Sequence, residues 1–316
     1  MAEHQSESSK TVWVAIAANA AITVVKAVAG VVAGSSALLA EAAHSVADTS
    51  NEGLLMVSLK RSERPADEQH PFGYGKERFF WVLLAAVFMF VAGGVFGILE
   101  GLYRIFRGGG ESGGFVWSYA ALGFAALAEG VSWVRAFRQT RSEARAGGLS
   151  VVRYIRESSE PAVKTVASED TAALAGIAIA FAGIGLSQLT GSSAWDGGAA
   201  VAIGVILCVV GVLIARDTKG LLIGEAAPAD ERRRLEGAIR RFDEVDDVLQ
   251  LLTMYLGPRN LLVAAKLNLR NDLSAREVEE LSRRIDRGLR EASPDVGAVY
   301  LDATAPAEDR LAHRRG

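Results

Sequence analysis

Cysteine is almost missing from this 316-residue chain. A single Cys208, set in an apolar run, excludes a disulfide framework and a cysteine-built zinc site, and so says little about redox compartment. An excess of either charge is missing too, and a formal net charge of −3 argues against nucleic acid as a partner. The start, MAEHQSESSK, lacks the basic residues, short apolar stretch and small-residue cleavage site of a signal peptide and reads as a cytoplasmic tail. Histidine numbers only 4, and the basic fourth loop, residues 138–162, with its Gly147-Gly148 has no His-rich run, hence no metal-collecting sequence.

What is present is apolar length. Half of the residues are hydrophobic and 22% are charged, which suggests a membrane domain joined to a soluble one. A bilayer-spanning helix needs about 20 apolar residues. Six stretches qualify, at 12–33, 37–59, 79–106, 115–137, 163–188 and 196–216. The turn Gly34-Ser35-Ser36 is so short that the first two spans must form an antiparallel hairpin. Basic residues crowd the second loop (Lys60, Arg61, Arg64, Lys76, Arg78), the region around the fourth (Arg135 to Lys164) and the end of the last span (Arg216, Lys219). Only Arg104 and Arg107 fall on the other side, so the positive-inside rule places both termini in the cytoplasm.

The second span carries the chemistry. His44 and Asp48 share one helix face by their four-residue step, and Glu41 and Asn51 extend that stripe. A central Asp costs roughly 2.5–3.5 kcal/mol to insert, so an intramembrane His/Asp pair marks a site. Elsewhere, Asn19, Thr23 and Lys26 make a polar face on the first span, Glu100 sits near the outer end of the third, Glu129 lies mid-fourth, and Ser168-Glu169-Asp170 opens the fifth before a small-residue run. Glu129 reads equally as a proton relay or as a protonated hydrogen-bonding group. Lys26 reads as pairing with an acid or snorkelling, and Glu41 as an acceptor supporting His44. Asp196, after the interfacial Trp195, reads as an N-terminal cap of the sixth span in preference to a ligand. In the second loop, Asp67, Glu68 and His70 could hold a metal at the cytoplasmic mouth, although Pro71-Phe72-Gly73-Tyr74-Gly75 is the better reading as a rigid turn.

From about Ala226 the composition becomes that of a soluble domain. A charged helix after Pro228 is followed by two strands flanking Gly257-Pro258-Arg259-Asn260. In the second strand Leu261, Val263, Ala265, Leu267 and Leu269 alternate with polar residues. Ser274 and Glu277 form a capping box for a helix with Val278, Leu281, Ile285 and Leu289 on its apolar face, and a strand at 296–302 completes an αββαβ order. Helices on one side leave the other sheet face free for a second copy. The expected architecture is an α-helical membrane protein of six transmembrane helices followed by a small α+β cytoplasmic domain: tail 1–11, membrane domain 12–220, cytoplasmic domain 221–306 and a disordered tail 307–316.

Six spans with both ends inside, His44-x-x-x-Asp48, an acid opening the fifth span, the His70-Pro71-Phe72-Gly73-Tyr74-Gly75-Lys76-Glu77 loop and the αββαβ domain together resemble the cation diffusion facilitator family over nearly the whole chain. Within it the chain is most similar to the zinc-transporter cluster with Glu-Asp in the fifth helix, here Glu169-Asp170. The resemblance implies no enzyme, but a homodimeric, proton-coupled antiporter exporting divalent metal. The metal is substrate and not a prosthetic group, and the location implied is the inner membrane of a prokaryote. The implied tetrahedral site takes His44, Asp48 and Asp170. Where typical members have a fourth ligand four residues before that Asp, this chain has Val166, so Glu169, about 100° round the helix and brought in by a local unwinding or a water, is the substitute, with gating or proton carriage as its other reading and Asn51 as a weaker ligand. The cytoplasmic domain has no His before His313, which leaves its regulatory metal sites in doubt. The donor set itself, one imidazole with carboxylates, suits zinc first, with manganese, iron or cobalt as further candidates, and disfavours copper(I). The departure at Val166 keeps open a second reading, a non-transporting membrane metal sensor or partner subunit.

Overall fold

Long apolar segments can satisfy their backbone groups internally only as helices or closed barrels, and here they form helices. The computed structural model describes residues 19–108, 115–146, 148, 150–157 and 161–305, with the backbone alone for 156–157 and 161–167. The two expected tails, the first span before residue 19 and the Val166 side chain lie outside the described residues. In order, the elements are α1 (Asn19–Ala33), α2 (Ser36–Ser62), α3 (Glu77–Arg107), α4 (Phe115–Ala146), α5 (Val151–Glu157), α6 (Pro161–Thr190), α7 (Ala194–Ile223), α8 (Ala229–Ile239), β1 (Val245–Gly257), β2 (Asn260–Leu269), α9 (Ala275–Ala292) and β3 (Val296–Ala303). They form two compact units, one running to Lys60 and from Phe79 to Lys219, the other comprising 61–78 and the chain from Gly220 onward.

Among the described residues α3, α4, α7 and the 168–190 part of α6 are long and apolar enough to cross a membrane, so length and composition there support four of the six expected spans. The described part of α1 is shorter. The 27-residue helix α2 is long enough, but Glu41, Asp48 and Glu52 interrupt its apolar character. Part of the segment 138–162, read as a loop, is helical: α4 runs on to Ala146 and α5 follows. Nothing there obliges a helix to stop, since backbone hydrogen bonding continues beyond the apolar run until the glycine pair.

Small residues bring the helices together. A Cβ on Gly204 of α7 would lie 2.6 Å from the Gly94 carbonyl oxygen and 2.7 Å from the Ile98 nitrogen, so α3 and α7 touch backbone to backbone. A π-helical turn, Met89–Val95, interrupts α3 at that contact. Ala37, Leu38, Ala40 and Ala47 of α2 pack into the same buried cluster as Ala172, Ile177 and Ala180 of α6 and Ile203 and Leu207 of α7. That packing fixes the polar stripe of α2 inside the unit. Gly34, at φ 65°, makes the tight α1–α2 turn that a residue with a Cβ would resist.

In the second unit the order is αββαβ, with the sheet β1-β2-β3, antiparallel between β1 and β2 and parallel between β2 and β3. Leu261, Val263, Ala265 and Leu267 are buried, as their alternation implies, together with Leu235 and Ile239 of α8 and Leu281, Ile285 and Leu289 of α9. The capping box is present: the Ser274 side chain accepts from the Glu277 amide, and the Glu277 carboxylate accepts from the Ser274 amide. Leu252 and Tyr300 are each 55% exposed.

Candidate functional site

Along α2 the polar residues stack turn upon turn. His44 Nε2 lies 3.3 Å from Asp48 Oδ1, with the His44 side chain 1% and the Asp48 side chain 22% exposed. One turn on, the Asn51 amide nitrogen donates to both Glu169 carboxylate oxygens, at 2.8 and 2.6 Å, in a buried contact that ties α2 to α6. Glu169 therefore reaches the α2 stripe from an unbroken helix, without the local unwinding that its 100° offset from Asp170 suggested. Asp170, half-buried beside it, has Glu129 of α4, Asp48 and His44 within electrostatic reach.

Glu52 also belongs to this group. It accepts from the Asn19 side-chain amide at 2.6 Å and has Asp48, Glu129 and Asp170 within electrostatic reach. The sequence reading passed over it, although the signal was there, since 44, 48 and 52 repeat the same four-residue step.

Among the described residues several buried atoms of the group have no hydrogen-bond partner: Glu41 Oε1, Asn51 Oδ1, Glu52 Oε2 and Asp170 Oδ2, together with His44 Nε2 and Asp48 Oδ1, which lie 3.3 Å from each other. Buried polar groups normally find partners, so acceptors gathered in this way call for a cation or protons as part of the molecule's working chemistry. Among the described residues, no three His, Cys, Asp or Glu side chains converge on one point closely enough to hold a metal ion. The structure thus brings His44, Asp48, Asn51, Glu169 and Asp170 to facing stretches of α2 and α6 without closing them into a tetrahedron.

The acids and the base on either side have definite partners. Lys26 Nζ sits 3.3 Å from Glu41 Oε2 and 2.8 Å from Ser45 Oγ, all buried, so Lys26 pairs inside the unit instead of snorkelling. The hydrogen bond Glu41 makes is to Lys26, not to His44. Asp196 caps a helix other than its own: it accepts from Ser35 Oγ at 2.6 Å, the Ser36 amide at 2.6 Å and the Ala37 amide at 3.3 Å, at the start of α2. Glu100 accepts from Ser36 Oγ at 2.9 Å on the same turn. A helix start presents unpaired N–H groups to any nearby carboxylate, and Gly34 aims those of α2 at α7.

Asp67, Glu68 and His70 lie in the second unit, not in the one that holds this group, and are solvent-exposed. Asp67 spends both oxygens on the turn, accepting from the His70 amide at 2.7 Å, the Gln69 amide at 3.0 Å and the Tyr74 hydroxyl at 2.7 Å. The Tyr74 hydroxyl first, then these amides, hold its carboxyl below the ordinary carboxylate value. Phe72 meets Tyr300 edge to face at 6.3 Å between ring centres, and a Cβ on Gly75 would sit 3.1 Å from Gly257 Cα. The loop is a turn packed on its own sheet.

Helices that bury an imidazole and a file of carboxylates with unspent acceptors define an integral membrane protein built to handle cations. The family model of the cation efflux transmembrane domain matches residues 12–223. The Homo sapiens protein named "Proton-coupled zinc antiporter SLC30A9, mitochondrial" is 30% identical over 226 residues, 72% of this chain and 40% of that one. Metal tolerance protein C4 of Arabidopsis thaliana is 30% identical over 234 residues, 74% of this chain and 51% of its own. Magnetosome protein MamB of Paramagnetospirillum magneticum is 37% identical over 102 residues, covering 30% and 34%. The chain spans about two-fifths to half the length of the first two. It belongs to the cation efflux, or cation diffusion facilitator, family, whose members are transporters and not enzymes.

Proposed function

We propose that this protein exports a divalent metal cation, zinc first among the candidates, in exchange for protons, by alternating access around the group on α2 and α6. The observation that carries the reading is the buried His44–Asp48 pair together with unspent acceptors on Asn51, Glu52 and Asp170, gathered where Asn51 ties α2 to Glu169 of α6. His44, Asp48, Asp170 and Glu169 are the ligands we assign, with Glu169 oriented by Asn51 and Glu129 and Glu52 as proton-carrying neighbours. Metal binding needs His44 neutral and the carboxylates ionised, so metal arrival releases protons and proton arrival releases metal. Rocking of helix pairs about the fixed group then couples the two gradients. In the same reading α1 and α2 cross the membrane with the other four helices, both termini are cytoplasmic, the membrane is the inner membrane of a prokaryote, and the cytoplasmic αββαβ domain pairs with a second copy through the sheet face bearing Leu252 and Tyr300.

The test is transport by the purified chain in proteoliposomes under an imposed pH gradient, with zinc, manganese, iron and cobalt in turn. Uptake of zinc that collapses when the gradient is removed is expected. A chain that binds zinc but moves none of these metals is instead a metal sensor or partner subunit, the reading that Val166 at the fourth ligand position favours.

A further inference from the structure

We propose that Lys26 is a tethered cation that holds the place next to Glu41 and thereby limits the polar file of α2 to one transported ion. The inference rests on the transport reading above and adds a residue that sets how many cations the file accepts.

Three observations support it. Lys26 is 1% exposed and Glu41 0%, so the ammonium is fully buried, and its contacts are Glu41 Oε2 at 3.3 Å and Ser45 Oγ at 2.8 Å. The Glu41 Oε1 atom lies against Gly176 of α6, where a Cβ would collide with it, and has no hydrogen-bond partner. Glu41 thus stands between α1, α2 and α6 at one level, a turn beyond His44 on the side of the Asp196-clamped turn. On the other side of His44 the Asp48 side chain is 22% exposed, and one turn further Asn51 is again buried, at 2%.

Charge explains what the ammonium does there. Glu41, Asp48, Glu52, Glu129, Glu169 and Asp170 line the file, and Lys26 lies within electrostatic reach of both Glu129 and His44. In a low-dielectric interior a second cation beside the Glu41 carboxylate is disfavoured by the ammonium already on it, because like charges a few ångströms apart repel strongly. Removing the ammonium alone leaves a buried carboxylate uncompensated beside the Ser45 hydroxyl, and such a group recruits a cation or a proton.

The experiment is equilibrium dialysis of the full chain in detergent against zinc, with helical content and monodisperse elution checked. Lys26→Met should raise the zinc bound at saturation by one per chain, and Lys26→Met/Glu41→Gln should return it to the wild-type number, an outcome a packing role alone does not produce. If Lys26→Met does not fold, Glu41→Gln is compared with the double variant. A zinc affinity at least tenfold weaker in Glu41→Gln, where the ammonium loses its partner, and restored in the double variant supports the inference; equal affinities overturn it. A wild-type chain that binds zinc while a folded Lys26→Met chain binds the same number sinks this inference alone. A wild-type chain that binds none sinks the transport reading and this one with it.

Discussion

Asn51 gives both Glu169 oxygens a hydrogen bond, and in doing so fixes how Glu169 is presented to α2. A carboxylate gripped at both oxygens by a neutral amide is fixed in orientation, which suits a ligand more than a swinging gate. The residues that define the proposed site should therefore be unequal in effect to those that only resemble ligands. Asp48→Ala and Asp170→Ala are each expected to abolish zinc uptake into proteoliposomes, while His70→Ala, whose neighbour Asp67 is committed to its turn, should leave the rate within about twofold. Normal uptake by Asp170→Ala would mean that the site lies elsewhere. At this scale the sequence spoke clearly where spacing is local: His44, Asp48 and Asn51 on one face need only the helical repeat. It was silent where a partner comes from far along the chain. Glu41 looked like a support for His44 because only α2 was in view, and its partner Lys26 arrives from α1.

Elements show the same division. The αββαβ order, the buried face of β2 and the box at Ser274 were all legible, because alternation and capping are written in a few consecutive residues. Ser274→Ala should cost about 1 kcal/mol of helix stability, read as faster amide exchange in the first turn of α9 with β2 unaffected; unchanged exchange there would show that the box carries no stability. The 61–78 loop could be read as a turn but not as a part of the second unit, since nothing in its sequence names the strands it packs on. Its acid sensitivity follows from Asp67. The folded carboxyl lies below its ordinary value, so the stabilisation is present above about pH 3.9, and is lost as pH falls through the lower folded value. Tyr74→Phe removes the leading cause, and carboxyl-carbon NMR should then find Asp67 titrating at higher pH; an unmoved titration would assign the effect to the amides alone. Contacts of the α3–α7 kind were legible only as glycine and alanine content, because backbone approach is a property of two helices and not of either one.

For the whole molecule, membrane segments and a soluble unit were visible in composition, yet among the described residues four helices meet a length-and-apolarity standard. For α2 the reason is its own chemistry: a helix that carries Glu41, His44, Asp48 and Glu52 does not look like a lipid-facing span, so the element bearing the proposed site is one that hydropathy passes over. The clamp of Asp196 on the α1–α2 turn bears on how such a molecule is made. Its donor at Ser36 and its acceptor are 160 residues apart in the chain. At ordinary synthesis speeds that separation is on the order of ten seconds. During that interval the amides opening α2 have no carboxylate to meet, and the first hairpin must wait, wet or chaperoned, for the last helix to be inserted. The seventh helix is thus a keystone in the order of assembly, and a nascent chain stopped short of residue 196 holds an α2 whose buried charges have been delivered to the membrane before the residue that anchors them.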